Sequence, residues 1–126
     1  MTLAEKKNRL REYRLLKHEI SALELELSSI DDMFDVLDEF ELNPSDDIAS
    51  KANQRKKELK ARIAEVESKR ASISKAIDSI DDVFEKKIIK MRYIQNKSWS
   101  KIAEALKLSE KTCRKYANDG IEKLIL

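Results

Sequence analysis

The chain has 126 residues, of which 40% are charged and 6% aromatic, with one glycine and one proline. So few turn-forming residues leave little room for hairpins of strands or for a sheet, and they predict an all-α fold built from long helices. The formal net charge is only +2, but residues 81–126 carry 11 Lys and Arg against 7 Asp and Glu. The basic excess therefore lies at the C-terminal end.

The same composition argues against several classes of protein. No apolar run approaches the ~20 residues that cross a bilayer, and the N-terminus lacks the apolar core of a signal peptide. We therefore expect a cytoplasmic protein without membrane contact. A single cysteine excludes an internal disulfide and a multi-cysteine zinc site. Since His18 is the only histidine and no glycine loop is present to cradle a phosphate, we expect no enzyme activity, cofactor, metal or small-molecule substrate.

Residues 1–80 are predicted to form a long antiparallel helical hairpin. From Tyr13 to Leu37 the apolar residues follow one another at alternating spacings of three and four, which is the seam of a coiled coil. The run NPSDD interrupts this rhythm and offers Asn43 or Ser45 as the cap of a second helix, in which the same spacing resumes. A break this short favours two antiparallel arms over a continuous rod.

Two surfaces of the hairpin bear on its partners. Residues 31–47 hold eight acidic residues and no basic one; we favour a solvated tip over a docking surface for a basic protein, and in either case DNA is repelled. Apolar residues off the seam are either scattered surface residues or a second stripe that joins two hairpins in a four-helix bundle. We favour the bundle, and hence a homodimer, because a lone two-helix hairpin buries little apolar surface. The off-seam residues are Leu15, Leu25, Met33 and Val36.

Residues 81–126 are predicted to form three short amphipathic helices. Ser79 is a candidate cap for the first, while Ser98 and Ser109 suit the starts of the second and third. A small residue at Ala103, a tight turn of Lys107 and Leu108, and a buried Cys113 follow the spacing of a helix-turn-helix. We therefore expect a tri-helical domain whose last helix is presented to a partner.

A resemblance to a known family begins at these residues. The segment KKIIKMRYIQNKSWSKIAEALKLSEKTCRKYANDGIEKL resembles region 4 of sigma-70-type factors, the part that reads the −35 promoter element. The resemblance covers residues 81–126, and Lys107 stands where such turns usually carry glycine. No other sigma region is evident, and the layout resembles small phage- and prophage-encoded regulators, including those that control late genes. This implies double-stranded DNA as the partner and leaves RNA polymerase open as a second one.

The helix predicted over residues 109–119 supplies the candidate base-reading side chains. If Cys113, Tyr116 and Ala117 face inward, helical spacing turns the opposite side outward. Arginine and lysine pair with guanine, asparagine with adenine, and glutamate accepts from cytosine in the major groove. The predicted base-reading residues are Glu110, Lys111, Arg114, Lys115 and Asn118. The predicted contacts to backbone phosphates are Lys86, Lys87, Lys90, Arg92, Lys97, Ser98, Ser100, Lys101, Ser109 and Thr112.

Together these features predict a sequence-specific, DNA-binding transcriptional regulator of phage or prophage type that acts at late-gene or similar promoters. In this prediction residues 1–80 serve dimerisation or partner docking, and residues 81–126 bind DNA. The alternative is an interaction adaptor, of sigma-mimicking or anti-sigma type, that acts on RNA polymerase without binding DNA. The operator sequence, the sign of regulation and the oligomeric state are not decided by the sequence.

Overall fold

The computed structural model describes residues 1–126 and confirms the all-α prediction: a long antiparallel pair of helices precedes three short ones. No helix is both long enough and apolar enough to cross a membrane. A π-helical turn over Lys90–Ile94 follows the third helix. The α-helices are α1 (Leu3–Glu39), α2 (Asp46–Asp78), α3 (Val83–Ile89), α4 (Trp99–Leu106) and α5 (Glu110–Glu122).

Side-chain caps fix where these helices begin. The caps predicted at Ser45, Ser98 and Ser109 are confirmed, because each hydroxyl accepts the backbone N–H three residues later, at 3.3, 3.2 and 3.1 Å. The prediction that Ser79 caps α3 is wrong. The carboxylate of Asp82 caps α3 instead, at 2.9 Å, while the Ser79 hydroxyl donates to a carbonyl in the last turn of α2. An ionised carboxylate is the stronger acceptor at a helix N-terminus.

The chain forms two compact units, one of Leu16–Ser68 and one that combines Met1–Leu15 with Lys69–Leu126. The open ends of the two hairpin arms thus belong with the short helices. The compact units do not divide at residue 80. A functional boundary at residue 80, between dimerisation or partner docking and DNA binding, stays a prediction.

In the unit Leu16–Ser68, the two arms are held by a narrow apolar seam and by ion pairs across it. Leu59 and Val66 are buried in the seam. Lys56 also falls on the seam, and its ammonium pairs with a carboxylate of the facing arm. Exposed ion pairs contribute little stability, so these set the register of the arms more than their strength. The closest N···O distances are 2.6 Å for Glu19–Arg62, 2.8 Å for Glu26–Arg55 and 2.6 Å for Asp31–Lys56.

In the other unit, α3 and α5 approach each other at the only glycine of the chain. A Cβ atom at Gly120 would lie 2.7 Å from Cδ1 of Ile89 and 3.0 Å from Cβ of Glu85. The Glu85 carboxylate is itself buried and accepts both of its hydrogen bonds from the Lys123 ammonium, at 3.0 Å each. This ion pair ties α3 to the end of α5 and raises the pKa of Lys123.

The inward side of α5 agrees with the prediction at two of three positions. Cys113 and Ala117 are buried, whereas Tyr116 is only half-buried. The Tyr116 ring stacks on Phe84 with 5.7 Å between centroids, and Phe84 is itself 48% exposed. Burial, together with the nearby Glu110 carboxylate, raises the pKa of the Cys113 thiol, which fits a packing role and not a reactive thiolate.

The turn between α4 and α5 is tight and left-handed. Lys107 has φ 56° and ψ 41°, the conformation in which glycine has no steric penalty. The N–H of Leu108 then donates to the carbonyl of Ala103 at 3.1 Å and closes the end of α4. The turn predicted at these residues is therefore confirmed, and it is formed by a lysine.

Replacing Lys107 with glycine is expected to raise the free energy of unfolding by roughly 1 kcal/mol, because a Cβ in the left-handed region costs about that much. Chemical denaturation measures the change. Lys107→Ala is the matched control, since it removes the charge but keeps the Cβ, and it should shift stability far less. Equal effects of the two variants would show that the lysine charge, and not its backbone conformation, limits stability.

Candidate nucleic-acid interface

Four of the five predicted base-reading residues lie away from the buried side of α5: Lys111, Arg114, Lys115 and Asn118. The fifth, Glu110, lies on the same side as the buried Cys113 and Ala117 and is exposed because it begins the helix. Glu110, Lys111, Arg114 and Lys115 are exposed, and Asn118 is half-buried. A guanidinium nitrogen of Arg114 lies 3.6 Å from a carboxylate oxygen of Glu110 one turn earlier, with both side chains about half exposed. This pair holds the arginine along the helix while its donors remain accessible to solvent.

Trp99, the first residue of α4, contacts two guanidinium groups with its ring. The Cζ atoms of Arg92 and Arg114 are 5.0 and 5.7 Å from the centre of its ring. Contacts of this kind are worth about 0.5–1 kcal/mol at exposed sites. Trp99 is half-buried, so it joins the π-helical turn, α4 and α5 at the surface and orients two cations there.

A basic cleft of about 590 Å³ opens beside this tryptophan. Five of its lining residues are cationic and none is acidic. Three of the cations come from α1, for which the sequence predicts only a dimerisation or docking role. The spacing of four and then three places them on one face of that helix. The residues that line the cleft are Lys7, Arg11, Arg14, Leu15, Arg92, Tyr93, Asn96, Trp99, Arg114 and Asn118.

The base of the hairpin is tied to the short helices in the same unit. The Lys6 ammonium donates to the carbonyl of Glu122 at 2.7 Å, and Lys90 pairs with Asp78 at 2.6 Å. Leu10 on α1 is fully buried. Lys6 and Leu10 hold the first turns of α1, which form one wall of the cleft, against the short helices, and the pair of Lys90 with Asp78 holds the end of α2 there.

The floor of the cleft is formed by the π-helical turn. Tyr93 is buried there, and its burial raises the pKa of the phenol even though the Arg11 and Arg92 charges act in the opposite direction. Asn96 ends the turn with φ 56°, a conformation that asparagine adopts more readily than most residues. Short π-helical segments are frequent at functional sites, and this one brings Arg92 to face Trp99.

The predicted phosphate contacts do not form a single surface. Four lysines line a second groove of about 470 Å³ with Val83, Met91 and Gln95, whereas Arg92 lies in the basic cleft. Ser98 and Ser109 use their hydroxyls as caps, and Thr112 is half-buried beside Ser109. Ser100 and Lys101 are exposed in the first turn of α4. The four lysines of the groove are Lys86, Lys87, Lys90 and Lys97.

Three comparisons with known proteins bear on this architecture. Residues 25–124 match the family described as "Protein of unknown function (DUF1492)", and the chain belongs to that family. The matched segment includes the C-terminal part of α1 from residue 25, all of α2 and the three short helices. Neither the curated proteins nor the solved structures gave a match. No sigma or helix-turn-helix family was identified, so the resemblance to sigma region 4 stays a prediction that rests on the residues themselves.

Proposed function

We propose that this protein is a sequence-specific, double-stranded-DNA-binding transcriptional regulator that reads the major groove with α5. The observation that carries the proposal is the outward face of α5, where Lys111, Arg114 and Lys115 are exposed on a helix presented by a tight turn. A helix of 13 residues is about 20 Å long. Its diameter suits the major groove, which admits one α-helix.

Local charge supports a nucleic-acid partner more than the net charge does. The chain as a whole is only +2, yet five cations line the cleft beside α5 and a carboxylate pairs with one of them, Arg114. Concentrated positive charge on one face is the electrostatic footprint of phosphate binding. The resemblance to small phage- and prophage-encoded regulators supports promoter control, at late genes or similar promoters, as the setting.

The test is selection of bound duplexes from a randomised pool by the purified full-length chain, followed by affinity measurements at several salt concentrations. We expect enrichment of a defined sequence and an affinity that falls steeply between about 50 and 200 mM salt. An adaptor that acts on RNA polymerase would enrich no sequence alone and would reach DNA only with polymerase present. That result would replace the proposal with the alternative.

Lys101→Ala is expected to weaken binding to every duplex by a similar factor and to lower the slope of log affinity against log salt by about one, as loss of one phosphate contact does. Lys101 is exposed in the first turn of α4, the helix that crosses the backbone in a helix-turn-helix complex. Fluorescence anisotropy with selected and scrambled duplexes measures both quantities. Lys57 is an exposed lysine of α2, and Lys57→Ala is the matched control. An equal loss of affinity in that variant would mean that only the net charge of the chain matters.

We also propose that the hairpin pairs with a second copy of the chain. Three of the predicted off-seam residues form an exposed stripe on α1, Leu25 at 70%, Met33 at 38% and Val36 at 51%, and Phe40 at 67% extends it just past the end of the helix. Their spacing of eight, three and four keeps them on one side of the helix, as a four-helix bundle requires. The fourth off-seam residue, Leu15, is exposed but lines the basic cleft. Sedimentation equilibrium should give a dimer for the wild type and a monomer for Leu25→Glu/Val36→Glu. A monomeric wild type would overturn this.

A further inference from the structure

We infer that the basic cleft holds phosphodiester groups of the DNA strand that borders the groove read by α5, so that the first helix of the hairpin is part of the DNA-contact surface. This rests on the proposed function and extends it to residues outside the three short helices. The cleft, and not an extended lysine surface, would then be the principal backbone contact.

The charge balance of the cleft calls for an anion. Lys7, Arg11 and Arg14 project from one face of α1 into a space shared with Arg92 and Arg114, and no carboxylate lines it. Of these cations Arg114 pairs with a carboxylate outside the lining, that of Glu110 at 3.6 Å, which leaves four positive charges without a counter-charge in the cleft. Arg11 hydrogen-bonds only a neutral partner, the side-chain oxygen of Asn8, at 2.9 Å. Like charges confined to one concave site repel one another and raise the local potential. A bound phosphate relieves that repulsion through charge-assisted hydrogen bonds.

The position of the cleft identifies the occupant as a DNA strand. Arg114 and Asn118 belong both to the outward face of α5 and to the lining of the cleft, so the two surfaces are continuous. Trp99 lies at the start of α4, and in a helix-turn-helix complex this first helix crosses the sugar–phosphate backbone. A strand that flanks the groove entered by α5 therefore passes the mouth of the cleft.

The neighbouring groove of four lysines fits the same role less well. Lys90 in that groove pairs with Asp78 at 2.6 Å, closer than the 3.6 Å between Arg114 of the cleft and Glu110, and the groove contributes no residue from the outward face of α5. The arginines of the cleft also present paired N–H donors that match phosphate oxygens in geometry. The distinguishing prediction is that cations of α1 contribute to DNA affinity although they lie 85 to 92 residues before Trp99, where the helix-turn-helix begins.

The experiment compares full-length wild type with Arg11→Ala/Arg14→Ala by fluorescence anisotropy on the selected duplex and on a scrambled one, across a salt series. We expect the double variant to bind both duplexes about tenfold or more weakly and to lose about 1.8 from the salt slope, since each phosphate contact contributes about 0.9. Arg11→Lys/Arg14→Lys, which keeps both charges, should restore most of the slope. Lys57→Ala/Lys60→Ala removes two exposed charges from α2 and should retain it.

The outcomes separate the two levels of the proposal. A wild type that binds duplexes while Arg11→Ala/Arg14→Ala keeps the same salt slope overturns this inference and leaves the proposed function standing. A wild type that binds no duplex overturns the proposed function and this inference with it.

Fluorescence of Trp99, the only tryptophan, reports directly on the cleft. If micromolar tripolyphosphate saturated a change in Trp99 fluorescence while duplex DNA left the fluorescence unchanged, the cleft would be a site for a free anion. That result would also overturn the inference. Circular dichroism confirms that each variant is folded.

Discussion

Replacing Arg114 and Lys115 together with alanine is expected to lower affinity for the selected duplex by about 100-fold or more, while affinity for a scrambled duplex falls far less. A well-placed pairing of a cationic side chain with a base is worth about 1–3 kcal/mol of discrimination, which is roughly 5- to 150-fold. Both side chains are exposed on the outward face of α5, and neither is among the buried residues of the core. Fold stability should therefore change little.

Competition binding on the two duplexes measures the loss of discrimination, and thermal unfolding monitors the fold. Lys57→Ala/Lys60→Ala removes the same number of charges from exposed positions of α2 and serves as the control for net charge. If the α5 variant and this control weaken the two duplexes equally, α5 does not read bases. A loss of discrimination confined to the α5 variant is the result that the proposed function requires.

Gly120→Val is expected to be the most destabilising single substitution in the three-helix core, lowering the free energy of unfolding by about 3 kcal/mol, as overpacking of a tight core does. A Cβ at this position already falls 2.7 Å from Ile89 and 3.0 Å from Glu85, and valine adds two methyl groups to that contact. Ile89 is fully buried and has no space into which to withdraw. Separation of α3 from α5 would also disturb the hydrogen bonds between Glu85 and Lys123.

Urea denaturation followed by circular dichroism tests this expectation. Glu122→Val is the matched control, since it places the same side chain two residues later on an exposed position of α5, where a change within about 0.5 kcal/mol is usual. Similar stabilities for the two valine variants would mean that α3 and α5 can separate at low cost. The close approach of these helices would then not be a fixed feature of the core.

Local sequence signals predicted the helices and most of their ends. Hydrophobic spacing gave the hairpin, and hydroxyl residues ahead of periodic segments gave the caps at Ser98 and Ser109. The failure at Ser79 has a simple cause: α2 continues to Asp78, so the serine belongs to the end of one helix, and the ionised Asp82 three residues later starts the next. The left-handed turn at Lys107 was foreseen only through the glycine that the sigma-like resemblance expects there.

Features that depend on tertiary contact were not predictable in this way. Periodicity shows that Lys7, Arg11 and Arg14 share a face of α1, but it does not show which element they face. The sequence shows a single glycine, at position 120. The structure shows why a side chain does not fit there, because Ile89 approaches the backbone closely. The π-helical turn over Lys90–Ile94 likewise has no periodicity signal over five residues, although it positions Arg92 against the tryptophan.

NMR titration of the isotope-labelled full-length chain with the selected duplex shows whether the outward face of α5 enters a DNA groove. We predict that the largest amide shifts occur over residues 110–118 and at the start of α4, with further shifts at Arg11 and Arg14 and none over the acidic residues 31–47. Amide shifts that spare α5 altogether, or that are confined to the hairpin, would show that α5 does not enter the groove.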